Sequence, residues 1–173
     1  YYAEPGANIL VAAHSNGDGE AITTTDINGS GGYNSSGDVT HTFGGTSSAT
    51  PLVSGVIALI LQANPNLTWR DVQHVLVNSG RINDPTDNDW VVNGAGHNIS
   101  HKYGVGAIDA HAAITLARNW TNVGQEMDLS SAITTVGTSI PDSGGTAVTD
   151  TIQVTSDISV ETAEVALNIS HNS

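Results

Sequence analysis

The small residues Gly45-Thr46-Ser47-Ser48-Ala49-Thr50-Pro51 run straight into the apolar stretch Leu52-Val53-Ser54-Gly55-Val56-Ile57-Ala58-Leu59-Ile60-Leu61. No other feature constrains the chain as much. The stretch is too long for an ordinary strand and reads as a helix that is apolar all round, hence buried. Gly55 weakens such a helix, so its expected role is to admit another backbone. Pro51 is tolerated within a first helical turn, where no intrahelical donor is required. The small residues then place Ser47 at the helix mouth. A hydroxyl there sits beside N–H groups that have no intrahelical partner, a setting suited to a nucleophile and an oxyanion. A plain helix cap gives the same pattern, so the junction alone leaves both readings open.

A length of 173 residues allows one ordinary domain, or one and a part. Seventeen acidic residues face four basic ones, for a formal net charge of −13. That balance argues against nucleic acid and anionic membranes as partners, because both require a basic surface. It favours a cationic substrate and equally serves solubility. The absence of cysteine excludes disulfides, thiol catalysis and thiolate metal sites. No uninterrupted apolar run reaches the roughly 18 residues that span a bilayer, so no transmembrane segment is expected. The chain opens on Tyr1 with no secretory leader and is expected to be cut from something longer.

Along the chain, Ile9-Leu10-Val11-Ala12-Ala13 reads as a short buried strand. Residues 14–45 read as a long turn-rich loop with a short hairpin around Ala21–Thr25. Asn64-Pro65-Asn66 ends the apolar helix. Thr68 caps the next one, Asp71 suits its partly positive end, and Gly80 stops it. Residues 81–100 read as a polar loop in which Asp84, Asp87 and Asp89 serve turns and do not bind a metal. A third helix is expected from about Ala107 to Asn119, with Ile108, Ala112, Leu116 and neighbours facing inward. Residues 124–145 read as a linker. Thr151–Val154 and Val165–Ile169 alternate like half-buried strands.

The residues around Ser47 resemble the serine segment of the subtilisin-like proteases. The sequence Leu61-Gln62-Ala63-Asn64-Pro65-Asn66-Leu67-Thr68-Trp69-Arg70-Asp71-Val72-Gln73-His74 resembles the kexin/furin proprotein convertases in particular. Asn88-Asp89-Trp90, Asn93-Gly94-Ala95-Gly96, Ser100–Gly106, Asp109-Ala110 and Asn119-Trp120-Thr121 follow in that family's order. The resemblance implies an α/β fold, a partial subtilisin-like arrangement of helices on a mostly parallel sheet. It makes residues 1–123 the C-terminal part of the catalytic domain. Residues 124–173 would be a linker and the first strands of a β-sandwich P domain, with Ile169-Ser170-His171 in its early strands.

The same resemblance makes Ser47 the nucleophile of a serine endopeptidase and its backbone N–H an oxyanion donor. The catalytic aspartate, histidine and oxyanion asparagine would lie upstream of Tyr1. Only His14 and His41 precede Ser47, and neither sits in the family's histidine motif. The seven histidines are therefore expected to be surface or structural residues. Tyr1-Tyr2-Ala3-Glu4 resembles a loop in which a glutamate joins two upstream aspartates on calcium, which implies Glu4 as a calcium ligand. Cleavage after paired basic residues, calcium dependence and secretion or cell-surface display follow from the resemblance. The acidity and the lack of cysteine suggest a bacterial source. Two other functions are weighed against this one. An α/β-hydrolase elbow is approximated by Gly45–Ala49, but it needs a preceding strand, and Asp38–Gly44 is polar. A pseudoenzyme or P-domain binding module is disfavoured by the intact Gly-Thr-Ser element.

Overall fold

The computed structural model describes residues 3–141 and 145–169. The expectations placed on Tyr1, Tyr2, Ser170 and His171 lie outside the described residues. Seven elements follow in order: β1 (Ile22–Thr25), β2 (Val39–Phe43), α1 (Thr46–Ala63), α2 (Trp69–Ser79), β3 (Val91–Val92), β4 (Asn98–Ile99) and α3 (Ala110–Arg118). The chain divides into two units, Tyr1–Gln125 and Glu126–Ser173.

The core of the first unit lies where the three helices meet. Val56 and Ile60 from α1, Val72, Val75 and Leu76 from α2, Ala113 and Ala117 from α3, and Leu67 between α1 and α2 form one buried cluster. Ile60, Val75, Ala113 and Ala117 have no exposed surface. Burying a large aliphatic side chain of this kind contributes about 1.5–3 kcal/mol. Of the expected inward face and its neighbours, the fully buried positions of α3 are Ala113 and Ala117. Two alanines one turn apart let α3 approach its neighbours closely, and the larger Ile108 and Leu116 pack around the rim. Asp109 starts α3 by accepting the Ala112 N–H at 2.9 Å.

The start of α2 holds the unit's polar centre. Thr68 caps α2 as expected, and Asp71, beyond its expected place at the positive end, returns the bond by accepting the Thr68 N–H. Asp71 does more: its carboxylate is fully buried. One oxygen accepts from Thr68 N–H (2.7 Å), Thr68 hydroxyl (2.6 Å) and the Asn122 amide (3.0 Å). The other accepts from the Trp120 indole N–H (2.9 Å) and the Val123 N–H (2.7 Å). Burial alone would raise the carboxyl pKa, but donors from Thr68, Val123 and Trp120 outweigh it and hold the group far below its usual range. His74 stacks on Trp120, with ring centroids 6.2 Å apart.

Several expectations need correction. Residues 9–13 form no ladder. They run extended, with Val105 N–H bonded to Leu10 O, Ala12 N–H to Gly106 O and Ile108 N–H to Ala12 O at 2.8–2.9 Å. Among the described residues the sheets are antiparallel pairs, and the one parallel bridge joins Ala12 to Ala107. The hairpin expected around Ala21–Thr25 is β1 paired with the distant β2, with a register irregularity between Ile22 and Thr24. The loop 81–100 carries its own hairpin, β3–β4. Asp84 and Asp87 do serve turns, accepting the Thr86 and Asp89 N–H groups, while Asp87 also pairs with Lys102 and Asp89 instead reaches across to Ser100 and the His101 N–H.

Helix α1 is not buried all round. Among its residues Ser48, Val56 and Ile60 are buried, whereas Leu52, Leu59 and Leu61 are exposed and Gly55 faces open space. The far side of the helix has no cover among the described residues, so Gly55 admits no backbone there. By length and composition alone α1 is long and apolar enough to cross a membrane, with a mean hydropathy of 1.4 over 18 residues. A count of uninterrupted apolar residues misses it, because Ser48, Thr50 and Ser54 divide the run. A helix packed in a core passes the same test, and α1 gives Val56 and Ile60 to the buried cluster.

In the second unit no described residue forms a strand. The strands expected at Thr151–Val154 and Val165–Ile169 are absent, and Ile152, Val154, Val165 and Leu167 are exposed. Two short strands find no covered face here, and a pair without one is marginal in water.

Replacing Asp71 with Asn should lower stability by about 2–4 kcal/mol at neutral pH, since the amide keeps one acceptor oxygen and turns an NH2 donor toward the donors around the other. Because folding lowers this pKa, the stabilisation is complete above the unfolded value of 3.8 and is lost as the pH falls below it. Urea titrations at neutral and acidic pH should therefore show a steeper acid loss for the wild type than for Asp71→Asn. Equal slopes would contradict this role.

Candidate active site

Strand β2 runs into Gly44 and Gly45, and α1 begins at Thr46. A strand thus does precede the serine. Its Val-Thr-His-Thr-Phe sequence is rich in β-branched residues, a strand signal masked by polarity. Gly45 has φ 83° and ψ 179°, a conformation essentially confined to glycine. Its carbonyl accepts the Ser48 and Ala49 N–H groups at 3.1 and 3.4 Å. The N–H groups of Thr46 and Ser47 are left outside the intrahelical ladder, at the positive end of an 18-residue helix. The first turn contains no acidic side chain to neutralise that end.

The two adjacent serines have opposite fates. Ser47 is exposed at the helix mouth. Ser48 is only 3% exposed, and its Oγ lies 2.7 Å from Ser15 Oγ and 2.9 Å from Gly45 O. The next residue in the loop, Asn16, accepts the Gly45 N–H on Oδ1 at 2.7 Å. Sequence reasoning missed Ser15 and Asn16. They stand about thirty positions before the junction, and no spacing rule links them to it.

No base reaches Ser47 among the described residues. His41 is exposed on β2 with Nδ1 3.0 Å from Thr23 Oγ1. His14 is exposed, and His101 pairs with Asp89 at 3.4 Å. Two hollows of the described surface lie elsewhere and do not include Ser47. One hollow is lined by Val77, Ile82, His97 and Val105 and another by Leu59, Ala63, Ile114 and Arg118. Glu4 is exposed, and among the described residues no group of three or more His, Asp or Glu side chains is arranged to hold a metal ion. Calcium takes six to eight oxygen ligands, and among the described residues Glu4 is not part of such a carboxylate group.

The sequence model of the Subtilase family matches residues 4–106, and the chain belongs to that family. Human furin is 41% identical over 125 residues, which is 71% of this chain and 15% of furin. Kexin of Saccharomyces cerevisiae is 42% identical over 123 residues, covering 70% of this chain and 14% of kexin. The crystal structure of a serine protease of Aeromonas sobria superposes with a TM-score of 0.68 at 30% identity, over 72% of this chain and 28% of that one. The first unit thus has a partial subtilisin-like α/β fold of the kexin/furin type. The chain spans about one-seventh of the curated relatives it matches. The proteins named here come from a mammal, a yeast and Aeromonas sobria, so they do not support the expected bacterial source over another. Acidity and missing cysteines do not mark a lineage.

Gly45→Ala should cost about 1–3 kcal/mol, because a Cβ is strained at this φ and ψ. Thermal unfolding monitored by circular dichroism checks it. An unchanged midpoint would mean that the turn relaxes freely.

Proposed function

We propose that this chain supplies the nucleophile of a serine endopeptidase, with Ser47 as that nucleophile. The exposed hydroxyl at the open, positive mouth of α1, inside a stretch matched to the subtilase family, carries this reading. In the reaction Ser47 Oγ attacks the scissile carbonyl carbon and its proton passes to a histidine base. The C–O bond forms as the carbonyl π pair moves onto oxygen, and the Ser47 N–H stabilises that oxyanion. Collapse expels the amine, which takes the proton from the histidine and leaves an acyl-enzyme for water to hydrolyse.

The histidine, its aspartate and the asparagine donor are assigned to parts of the protein outside this chain. That no described residue brings a base to Ser47 fits that division. A serine hydroxyl without a base is a weak nucleophile, so the isolated chain should hydrolyse peptides negligibly. Cleavage after paired basic residues fits the surplus of acid, and residues 124–173 are read as a linker and the opening of a P domain. The parent is read as an exported, calcium-dependent enzyme in which Glu4 is one ligand of a site completed elsewhere.

The test is a fluorophosphonate probe with dibasic peptide substrates, applied to the complete protein. Labelling should map to Ser47, and Ser47→Ala should abolish both labelling and cleavage. Cleavage at the wild-type rate by Ser47→Ala would refute the assignment. Calorimetric titration of the isolated chain with calcium should show only weak binding, unchanged by Glu4→Gln. A tight site lost in Glu4→Gln would show that this chain completes the site by itself.

A further inference from the structure

The two peptide groups that flank Gly45, two residues before Ser47, are both gripped by neighbouring residues of one distant loop. Asn16 Oδ1 accepts the Gly45 N–H at 2.7 Å, which fixes the Gly44–Gly45 peptide. Ser15 Oγ lies 2.7 Å from Gly45 O, which fixes the Gly45–Thr46 peptide. Ser15 Oγ, Ser48 Oγ and Gly45 O form a triangle with sides of 2.7, 2.7 and 2.9 Å, served by two hydroxyl protons. One hydroxyl donates to the carbonyl and the other donates to the first. In a planar trans peptide the N–H points opposite to the C=O. Holding the Gly45 carbonyl toward Ser15 therefore turns the Thr46 N–H away from Ser15. Orienting that plane also sets the backbone from which the Ser47 N–H and Oγ project.

The grip is anchored. On one side of the loop Ala12 is bonded through both N–H and C=O to Gly106 and Ile108. On the other side Gly17 and Glu20 exchange two backbone bonds at 2.8 and 3.0 Å. Gly44 permits the close approach, since a Cβ there would overlap the Asn16 amide. A glycine pair without such anchors has wide conformational freedom.

We propose that Ser15 and Asn16 are positioning residues that orient the peptides before Ser47 and so aim its hydroxyl and N–H at the reacting carbonyl. This rests on the reading of Ser47 as nucleophile. The experiment compares Ser15→Ala, Ser15→Thr, Asn16→Ala and Ser47→Ala in the complete protein, measuring kcat and KM separately on a peptide substrate. Ser15→Ala and Asn16→Ala should each lower kcat about 10- to 100-fold with KM nearly unchanged, as small misplacements of reacting groups do. Ser15→Thr, which keeps the hydroxyl, should recover most of the loss. Wild-type kcat in both alanine variants, with Ser47→Ala inactive, would overturn the positioning role and leave the nucleophile standing. Activity in Ser47→Ala would overturn both. If the alanine variants also lose thermal stability, amide exchange decides: faster exchange at Thr46 and Ser47 alone supports the proposal. Uniformly faster exchange without recovery by Ser15→Thr overturns it.

Discussion

A single buried carboxylate organises the helical unit. Asp71 lies at the start of α2, yet it accepts hydrogen bonds from Trp120, Asn122 and Val123, which follow α3. An unpaired charge in that position would cost several kcal/mol. Here five donors satisfy it, so the charge ties the helix start to the segment leaving α3. The apolar cluster of Ile60, Val75, Ala113 and Ala117 packs beside this knot. Hydrophobic burial supplies most of the driving force and is indifferent to direction. The carboxylate adds direction, since only one arrangement of the two segments satisfies every donor.

The same logic recurs at the mouth of α1 on a smaller scale. Glycine at position 45 permits the sharp entry but does not hold it. Ser15, Asn16 and Ser48 hold it through the Gly45 peptide groups. The outcome is an exposed Ser47 beside a buried Ser48, with helical N–H groups open to an incoming anion. Nothing in that arrangement makes the hydroxyl basic or acidic. Its chemistry depends on a base that the described residues do not bring to it.

Much of this was legible from residue order. The junction of Gly45–Pro51 with an apolar run marks a helix mouth by spacing alone, and Thr68 with Asp71 three positions on marks the start of the next helix. Local rules reach that far because the interacting groups are neighbours in sequence. They failed where partners are distant: the pairing of β1 with β2, the five donors around Asp71 and the Ser15–Asn16 grip. They failed too where composition misled, as in the polar strand β2 and the supposedly buried faces of α1.

The order of residues by itself determined where α2 starts and stops, which serine pair stands at a helix mouth, and the family to which the chain belongs, but not the start of α3 at Ala110 nor the place of Pro51, which lies inside α1 and not in its first turn. The first two follow from propensities and short-range geometry, and the third from the likeness of these residues to the family's own. Only the tertiary structure decided that Ser47 faces outward while Ser48 turns in, that Ala113 and Ala117 form the inner face of α3, and that one aspartate joins α2 to residues 120–123. Each of these is settled by which groups meet across long sequence separations, and burial and hydrogen-bond saturation are properties of that meeting.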